Sequence, residues 1–320
     1  MSLPRLRLGI STCLLGENVR YDGGHKRNAF LMDTLGEYVT WVSVCPEVEI
    51  GMSTPRPPIR LERANGDGVR LVMPDSGDDL TDRMTTYSER RVEALRDEHL
   101  SGYVLKSGSP SCGMERVRLY DANGVPSRDG VGLFADALLT YMPQLPVEEE
   151  GRLNDARLRE NFITRIFARA RWLALSDTGF TISGLMEYHA RHKYLLMSRN
   201  PSAARELGRL LATAPRGAGE VATLATDYEQ QFSEALRKLP SRGRHTNVLQ
   251  HLAGYVSDDI DRGDRTELTE AIEGYRAGLV PLIVPVVLIR HYVRRLDVEY
   301  LADQVYLNPH PYELMLLNHV

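Results

Sequence analysis

Three short apolar segments, each closing on a cysteine in a turn, constrain this 320-residue chain more than any other feature. Leu6-Arg7-Leu8-Gly9-Ile10 runs into Cys13, and Val39-Thr40-Trp41-Val42-Ser43-Val44 runs into Cys45. Gly102-Tyr103-Val104-Leu105 runs into Lys106-Ser107-Gly108-Ser109-Pro110-Ser111-Cys112-Gly113. Segments of this length, apolar and bounded by Gly, Pro and Ser, read as strands over 6–12, 39–44 and 102–106. Between them, residues 28–36 and 81–98 have helical spacing; Met84, Tyr87, Val92 and Leu95 form the apolar set of the second, with Asp79 or Thr81 to cap it. Strand-helix alternation predicts an α/β domain with a partly parallel sheet, whose functional loops leave the carboxyl ends of the strands. All three cysteines fall at those ends.

Residues 141–151, with two prolines and an acidic run, mark a domain boundary, which divides the chain into 1–146 and 147–320. Beyond it the character is all-α. In the first long helical pattern Leu158, Phe162, Ile166, Ala170 and Leu173 share a stripe, with Arg157, Arg165 and Arg169 away from it. Further helices are expected over 182–196, 202–212, 221–239, 245–261 and 265–277. No strand is expected in this half, and no fixed-period repeat supports a solenoid.

The N-terminus lacks a charged-then-apolar leader pattern. The longest apolar run, residues 278–289, is broken by Pro281 and Pro285 and falls short of the roughly 20 residues a membrane span needs. A cytoplasmic protein without membrane contact is expected. Three cysteines make no disulfide framework. They are free, reactive or metal-bound. The net charge of -4 is unevenly spread: residues 1–150 hold 17 Lys and Arg against 23 Asp and Glu, whereas residues 152–251 hold 16 against 9. That excess suits an anionic partner, and equally a solvated helical surface.

The cysteine spacings match no zinc-knuckle or ferredoxin string. A free cysteine is also a common buried small hydrophobe. Against that reading, each thiol sits in a turn beside Gly16, Pro46 or Gly113 rather than inside an apolar run. Three thiolates around a cubane iron-sulfur cluster would leave one iron open as a Lewis acid for a soft substrate atom such as sulfur. Glu47, two residues past Cys45, and Ser109, three before Cys112, suit proton transfer, although a helix-start carboxylate and a turn serine look the same in sequence. Residues 21–27, with paired glycines and His25, Lys26 and Arg27, could hold an anion. Lys106 either balances the charge of such a cluster or merely ends a strand.

Five ordered motifs carry a family resemblance: Ile-Ser-Thr-Cys-Leu-Leu-Gly at 10–16, Arg-Tyr-Asp-Gly at 20–23, Val-Cys-Pro-Glu at 44–47, Thr-Pro-Arg-Pro-Pro at 54–58 and Lys-Ser-Gly-Ser-Pro-Ser-Cys-Gly at 106–113. Together they resemble the thiouracil desulfidase family, and the later half resembles the helical YbgA-type domain. The pairing is similar to that of the tRNA 4-thiouridine desulfidases. One departure is Ile50-Gly51-Met52, where a glycine pair is expected. The resemblance implies a [4Fe-4S] cluster on Cys13, Cys45 and Cys112. It implies non-redox hydrolysis of a thiolated uracil, foremost 4-thiouridine in tRNA, to uridine and sulfide, with Glu47 polarising water and Ser109 orienting or relaying a proton.

A free thiouracil needs no large helical annex, whereas a tRNA offers phosphates to helix-borne cations. Arg165, Arg169, Arg171, His189, Arg191, His192, Lys193, Arg199, Arg242, Arg244 and His245 are the candidate contacts, and residues 188–194 interleave rings with charge. Two alternatives stand beside this one. The first is an enzyme for small thiolated bases with a structural helical domain; the second is a non-catalytic cluster protein that regulates RNA.

Overall fold

The computed structural model describes residues 6–64, 68–213 and 218–319. The N-terminal residues read above for a leader lie outside this set. The chain divides into two compact units, one running to Asn154 and the other from Asp155 onward.

The first unit is built on a sheet of order β2-β1-β5-β8, with β1 Leu6–Ser11, β2 Val39–Val44, β5 Gly102–Leu105 and β8 Val147–Glu149. Every pairing in it is parallel, with Leu6 opposite Val39, Leu8 opposite Gly102 and Tyr103 opposite Val147. Parallel sheets are covered on both faces, which is why Leu6, Leu8, Ile10, Tyr103, Val104 and Leu105 are all buried. The cover comes in part from α2 Thr81–Arg96 and α3 Leu133–Tyr141, which pack on each other. Residues 28–36, read as one helix, instead form a π turn over Phe30–Thr34 followed by a 3-10 turn over Leu35–Tyr38.

Two features depart from the sequence reading. The acidic run at 148–150 is not a linker: β8 pairs with β5, and the unit continues past the expected 146/147 boundary to Asn154. Each carboxylate has a local task. Glu148 pairs with Arg152, Glu149 accepts the Met114 amide at 2.7 Å, and Glu150 pairs with Lys106. A second sheet, of order β4-β3-β6-β7, also went unread; it comprises β3 Arg60–Arg63, β4 Val69–Val72, β6 Val117–Tyr120 and β7 Pro126–Gly130. Its strands are short and interrupted by charge, and the buried apolar positions are few: Leu61, Leu71, Val72, Val117 and Leu119.

The second unit is helical. It holds α4 Ala156–Asp177, α5 Ile182–Arg199, α6 Pro201–Ala212, α7 Ala218–Arg237, α8 Arg242–Gly254, α9 Arg262–Ala277, α10 Ile283–Arg295 and the short α11 Glu299–Ala302, after α1 Pro46–Glu49 in the first unit. Asp155, Thr181, Asn200, Ser241 and Asp261 cap five of these helices by accepting first-turn amides, as these residue types do. Trp172, Tyr188, Tyr228 and Phe232 interlock in the core, Trp172 stacking on Tyr228 at 5.6 Å. The apolar run at 278–289 resolves into the start of α10; Pro285 is tolerated there because a first-turn residue has no intrahelical amide bond to lose. No described helix is long and apolar enough to cross a membrane.

Candidate active site

Cys13, Cys45 and Cys112 leave the carboxyl ends of β1, β2 and β5 and line one pocket of about 420 Å³. Cys13 sits in the 3-10 turn that follows β1, its carbonyl accepting the Lys26 amide at 2.8 Å. Cys45 is the residue before α1, with Pro46 at the first helical position and its own amide donating to Glu49 at 3.0 Å. Cys112 ends a loop wound on itself: Ser109 Oγ accepts the Cys112 amide at 3.1 Å, and Gly113 N–H returns to the Ser109 carbonyl at 2.8 Å. A Cβ at Gly113 would lie 2.4 Å from Val117 Cγ2, so only glycine fits behind the thiol. At the departure near 50–52, Gly51 alone takes the left-handed turn at φ +86 while Ile50 is buried, so one glycine suffices.

All three thiols are free. Burial pushes Cys13 up to about 11, opposed by the positive charge of Lys106, and the same desolvation raises Cys45 and Cys112. Desolvation thus favours the neutral thiols, and a bound cationic centre would favour the thiolates. Glu47 is the sole carboxylate in the lining, which contains no histidine, so the donor set is sulfur and fits a soft iron-sulfur group. Among the described residues, no three His, Cys, Asp or Glu side chains are grouped so as to hold a single metal ion.

The carboxylate is engaged on both oxygens. Arg56 Nε donates to Glu47 Oε2 at 2.9 Å, joined by Arg56 Nη2, and Ser111 Oγ donates to Glu47 Oε1 at 2.7 Å. Ser111 Oγ lies 2.9 Å from Ser109 Oγ. Glu47 and Ser109 are thus linked through Ser111, while Arg56 holds the other Glu47 oxygen; neither Ser111 nor Arg56 has a role assigned from sequence. Both lay inside quoted motifs, Arg56 in 54–58 and Ser111 in 106–113; that shared membership was the only signal. Lys106 is held by Glu150 at 2.5 Å and by the Ser107 carbonyl at 2.9 Å.

Around the thiols the wall is cationic, with Arg20, Lys26, Arg56, Arg60, Lys106 and Arg118 in the lining. Four of these meet a carboxylate: Arg20 meets Asp22, Arg56 meets Glu47, Arg60 meets Glu62, and Lys106 meets Glu150. Lys26 and Arg118 form no ion pair among the described residues. Of the other two basic residues read beside them, His25 accepts the Arg27 amide at 3.2 Å and Arg27 pairs with Asp33; neither lines the pocket. The paired glycines donate to Arg20 O and Asp22 Oδ1, so the turn is satisfied internally instead of presenting amides to an anion.

Residues 8–150 match the family described as 2-thiouracil desulfurase, and residues 193–311 match a protein family of unknown function, DUF1722. The uncharacterized protein YbgA of Escherichia coli K12 is 31% identical over 158 residues, covering 48% of this chain and 90% of YbgA. The uncharacterized protein YbbK of Bacillus subtilis 168 is 31% identical over 108 residues, covering 32% of this chain and 71% of YbbK. The chain is a relative of YbgA and YbbK, and its first unit matches the 2-thiouracil desulfurase family. A solved structure of a [4Fe-4S]-dependent thiouracil desulfidase, TudS, is 32% identical and covers 47% of this chain and 94% of its own, with a TM-score of 0.38.

In the helical unit the structure corrects several contacts read for RNA. Arg199 is 1% exposed and ion-paired with Glu160 at 2.9 Å; His192 is 2% exposed and stacked on Tyr188 at 3.9 Å; His245 is 3% exposed and bonded to Tyr306 Oη at 2.8 Å. These are core groups, and a partner at the surface does not reach them. Arg169 pairs with Glu229 at 2.7 Å, Arg171 donates to the Pro309 carbonyl at 2.9 Å, and Arg244 donates to the Arg199 carbonyl at 2.8 Å. Arg165 is half-buried, Arg191 stands near Glu187 and Asp303, and Arg242 is exposed. His189 is half-buried against Tyr228 Oη at 3.1 Å, with its Nε2 close above Gly208 of α6. Lys193 is exposed, its Nζ 5.6 Å from the Tyr194 ring centre. Arg205 and Arg209, one turn apart on α6, are exposed and without an ion pair among the described residues; neither was singled out from sequence, where nothing distinguishes them from any surface arginine.

Proposed function

We propose that this protein hydrolytically removes sulfur from thiolated uracil, with 4-thiouridine in tRNA as its substrate, and that Cys13, Cys45 and Cys112 hold a [4Fe-4S] cluster with one iron left unligated by protein. The observation that carries this reading is the convergence of three free thiols, Glu47 and Ser109, from three separate loops, on one cation-lined pocket. The family match over residues 8–150 supports the same chemistry. A neutral free base makes little use of so much positive charge, whereas an RNA phosphate does.

When bound, such a cluster supplies a Lewis acid that polarises a thiocarbonyl and a soft acceptor for sulfur. The chain's own residues do the rest. Glu47 draws the proton from a water aimed at the ring carbon, and Ser109, hydrogen-bonded to Ser111 and through it to Glu47, orients that carboxylate. The carbon-sulfur bond breaks as a carbon-oxygen bond forms, giving uridine and hydrogen sulfide with no net electron transfer. Lys106, whose charge favours the thiolate at Cys13, balances the anionic donor set.

Anaerobic reconstitution followed by nucleoside analysis of bulk tRNA tests the proposal. The expected result is loss of 4-thiouridine with a matching gain of uridine and release of sulfide. Turnover of free 2-thiouracil alone, with thiolated tRNA untouched, would overturn the tRNA assignment; no sulfide from either substrate would overturn the enzymatic one.

A further inference from the structure

The Glu47 carboxylate reaches Ser109 only through Ser111. Ser111 is 1% exposed, and its single hydroxyl proton goes to Glu47 Oε1 at 2.7 Å; Cys112 Sγ is a longer neighbour at 3.8 Å. With that proton committed, the 2.9 Å contact between Ser111 and Ser109 has Ser109 as donor. Ser109 Oγ also accepts the amides of Ser111 at 3.3 Å and Cys112 at 3.1 Å. Its orientation is therefore set from three sides.

At the other end the carboxylate is clamped. Arg56 binds Glu47 Oε2 through Nε and Nη2, while Nη1 donates to the Ser53 carbonyl and to Thr54 Oγ1, both at 3.2 Å. The Arg56 side chain is 3% exposed. The guanidinium, fixed at all three nitrogens, anchors Glu47 Oε2, and with Ser111 on Oε1 both carboxylate oxygens are held. Neither Arg56 nor Ser111 carries a thiol, and the Ser111 hydroxyl, almost wholly buried at the pocket wall, is committed to Glu47 and Ser109.

The geometry points to Arg56 and Ser111 as positioning residues for desulfidation: Arg56 anchors one oxygen of the Glu47 carboxylate, and Ser111 ties the other to the Ser109 hydroxyl. This rests on the reading of Glu47 and Ser109 given above. It explains why a polar pair from two motifs stands at the pocket wall with its side-chain hydrogen bonds directed at those two residues or their own loops.

The test uses the full-length protein, reconstituted anaerobically, in the variants Ser111→Ala, Ser111→Thr, Arg56→Met, Arg56→Lys and Glu47→Gln, with iron per chain, visible absorbance, kcat and KM measured for each. Ser111→Ala and Arg56→Met are expected to lose about a hundredfold in kcat, the scale of a misplaced reacting group, with iron content and KM within about twofold of the parent. Ser111→Thr, which restores the hydroxyl, and Arg56→Lys, which restores the charge, should recover part of the loss. In the Glu47→Gln background, Arg56→Met should cost nothing further. Unchanged kcat in Ser111→Ala, or an additive loss in the double variant, overturns the inference. Iron content falling in step with kcat also overturns it, because the residues would then serve the thiol loops. Should Arg56→Met fail to fold, the Ser111 pair decides alone. Full turnover in Glu47→Gln strikes at the assigned role of Glu47 instead, which keeps the two failures apart.

Discussion

At the scale of single residues, the thiols are the most exacting parts of the site. Cys112 is 6% exposed and Cys13 9% exposed, so replacing either by alanine removes a small apolar volume and leaves the fold standing. Cys13→Ala, Cys45→Ala and Cys112→Ala are each expected to fold, to lose the brown absorbance of a reconstituted cluster, and to lose turnover with it. A variant that kept both iron and full activity would show that its thiol is not a ligand. Which residues were legible in sequence follows from how far each role reaches along the chain. The cysteines, Glu47 and Ser109 stand in the segments that follow strands β1, β2 and β5, where local pattern singles them out. Arg56 lies nine positions from Glu47 and Ser111 sixty-four, and neither contact exists until the loops are brought together.

At the scale of elements, the helical unit buries charge and histidine where the sequence suggested surface. Burial within this unit holds His192 well below its usual value, His245 down to about 3, and His310 also low. Glu160, although desolvated, is kept below the usual carboxylate range chiefly by the Arg199 guanidinium. The unfolded chain protonates its histidines near pH 6.5, before the folded one does, so stability is fully present above that pH and falls as pH drops through it. Each histidine contributes a slope of about 1.4 kcal/mol per pH unit in that window. Urea midpoints read from Trp172 fluorescence in a Trp41→Phe background should fall steadily from pH 6.5 to 5. His245→Gln should flatten the fall by one histidine's share. Midpoints level across that range would contradict the burial of neutral histidines. A helical pattern cannot show this in advance, because α4 is enclosed around most of its girth and Glu160 and Asn161 are buried among its apolar residues. Strands β1, β2 and β5 were legible because they are mostly apolar; β8, with Glu148 and Glu149, and the charged second sheet were not.

At the scale of the whole molecule, the open question is how RNA would engage the helical unit, whose positive excess lies in residues 152–251. Counting partners shrinks that excess, since Arg169 and Arg199 are spent on Glu229 and Glu160. Lys193 on α5, with Arg205 and Arg209 on α6, remains, and the contact of His189 with Gly208 shows that these two helices lie side by side. Three cations on adjacent helix faces suit phosphates, and each phosphate neutralised on single-stranded RNA steepens the salt dependence of binding by about 0.7 in log units. Replacing all three by alanine should therefore weaken tRNA binding and lower the slope of log affinity against log salt by about 2. Turnover of free 2-thiouracil by the same variant should match the parent, because no residue of the pocket is altered. Parental affinity and salt slope would place the RNA surface elsewhere on the molecule. A loss of free-base turnover would mean that the replacements disturb the fold and not a binding face.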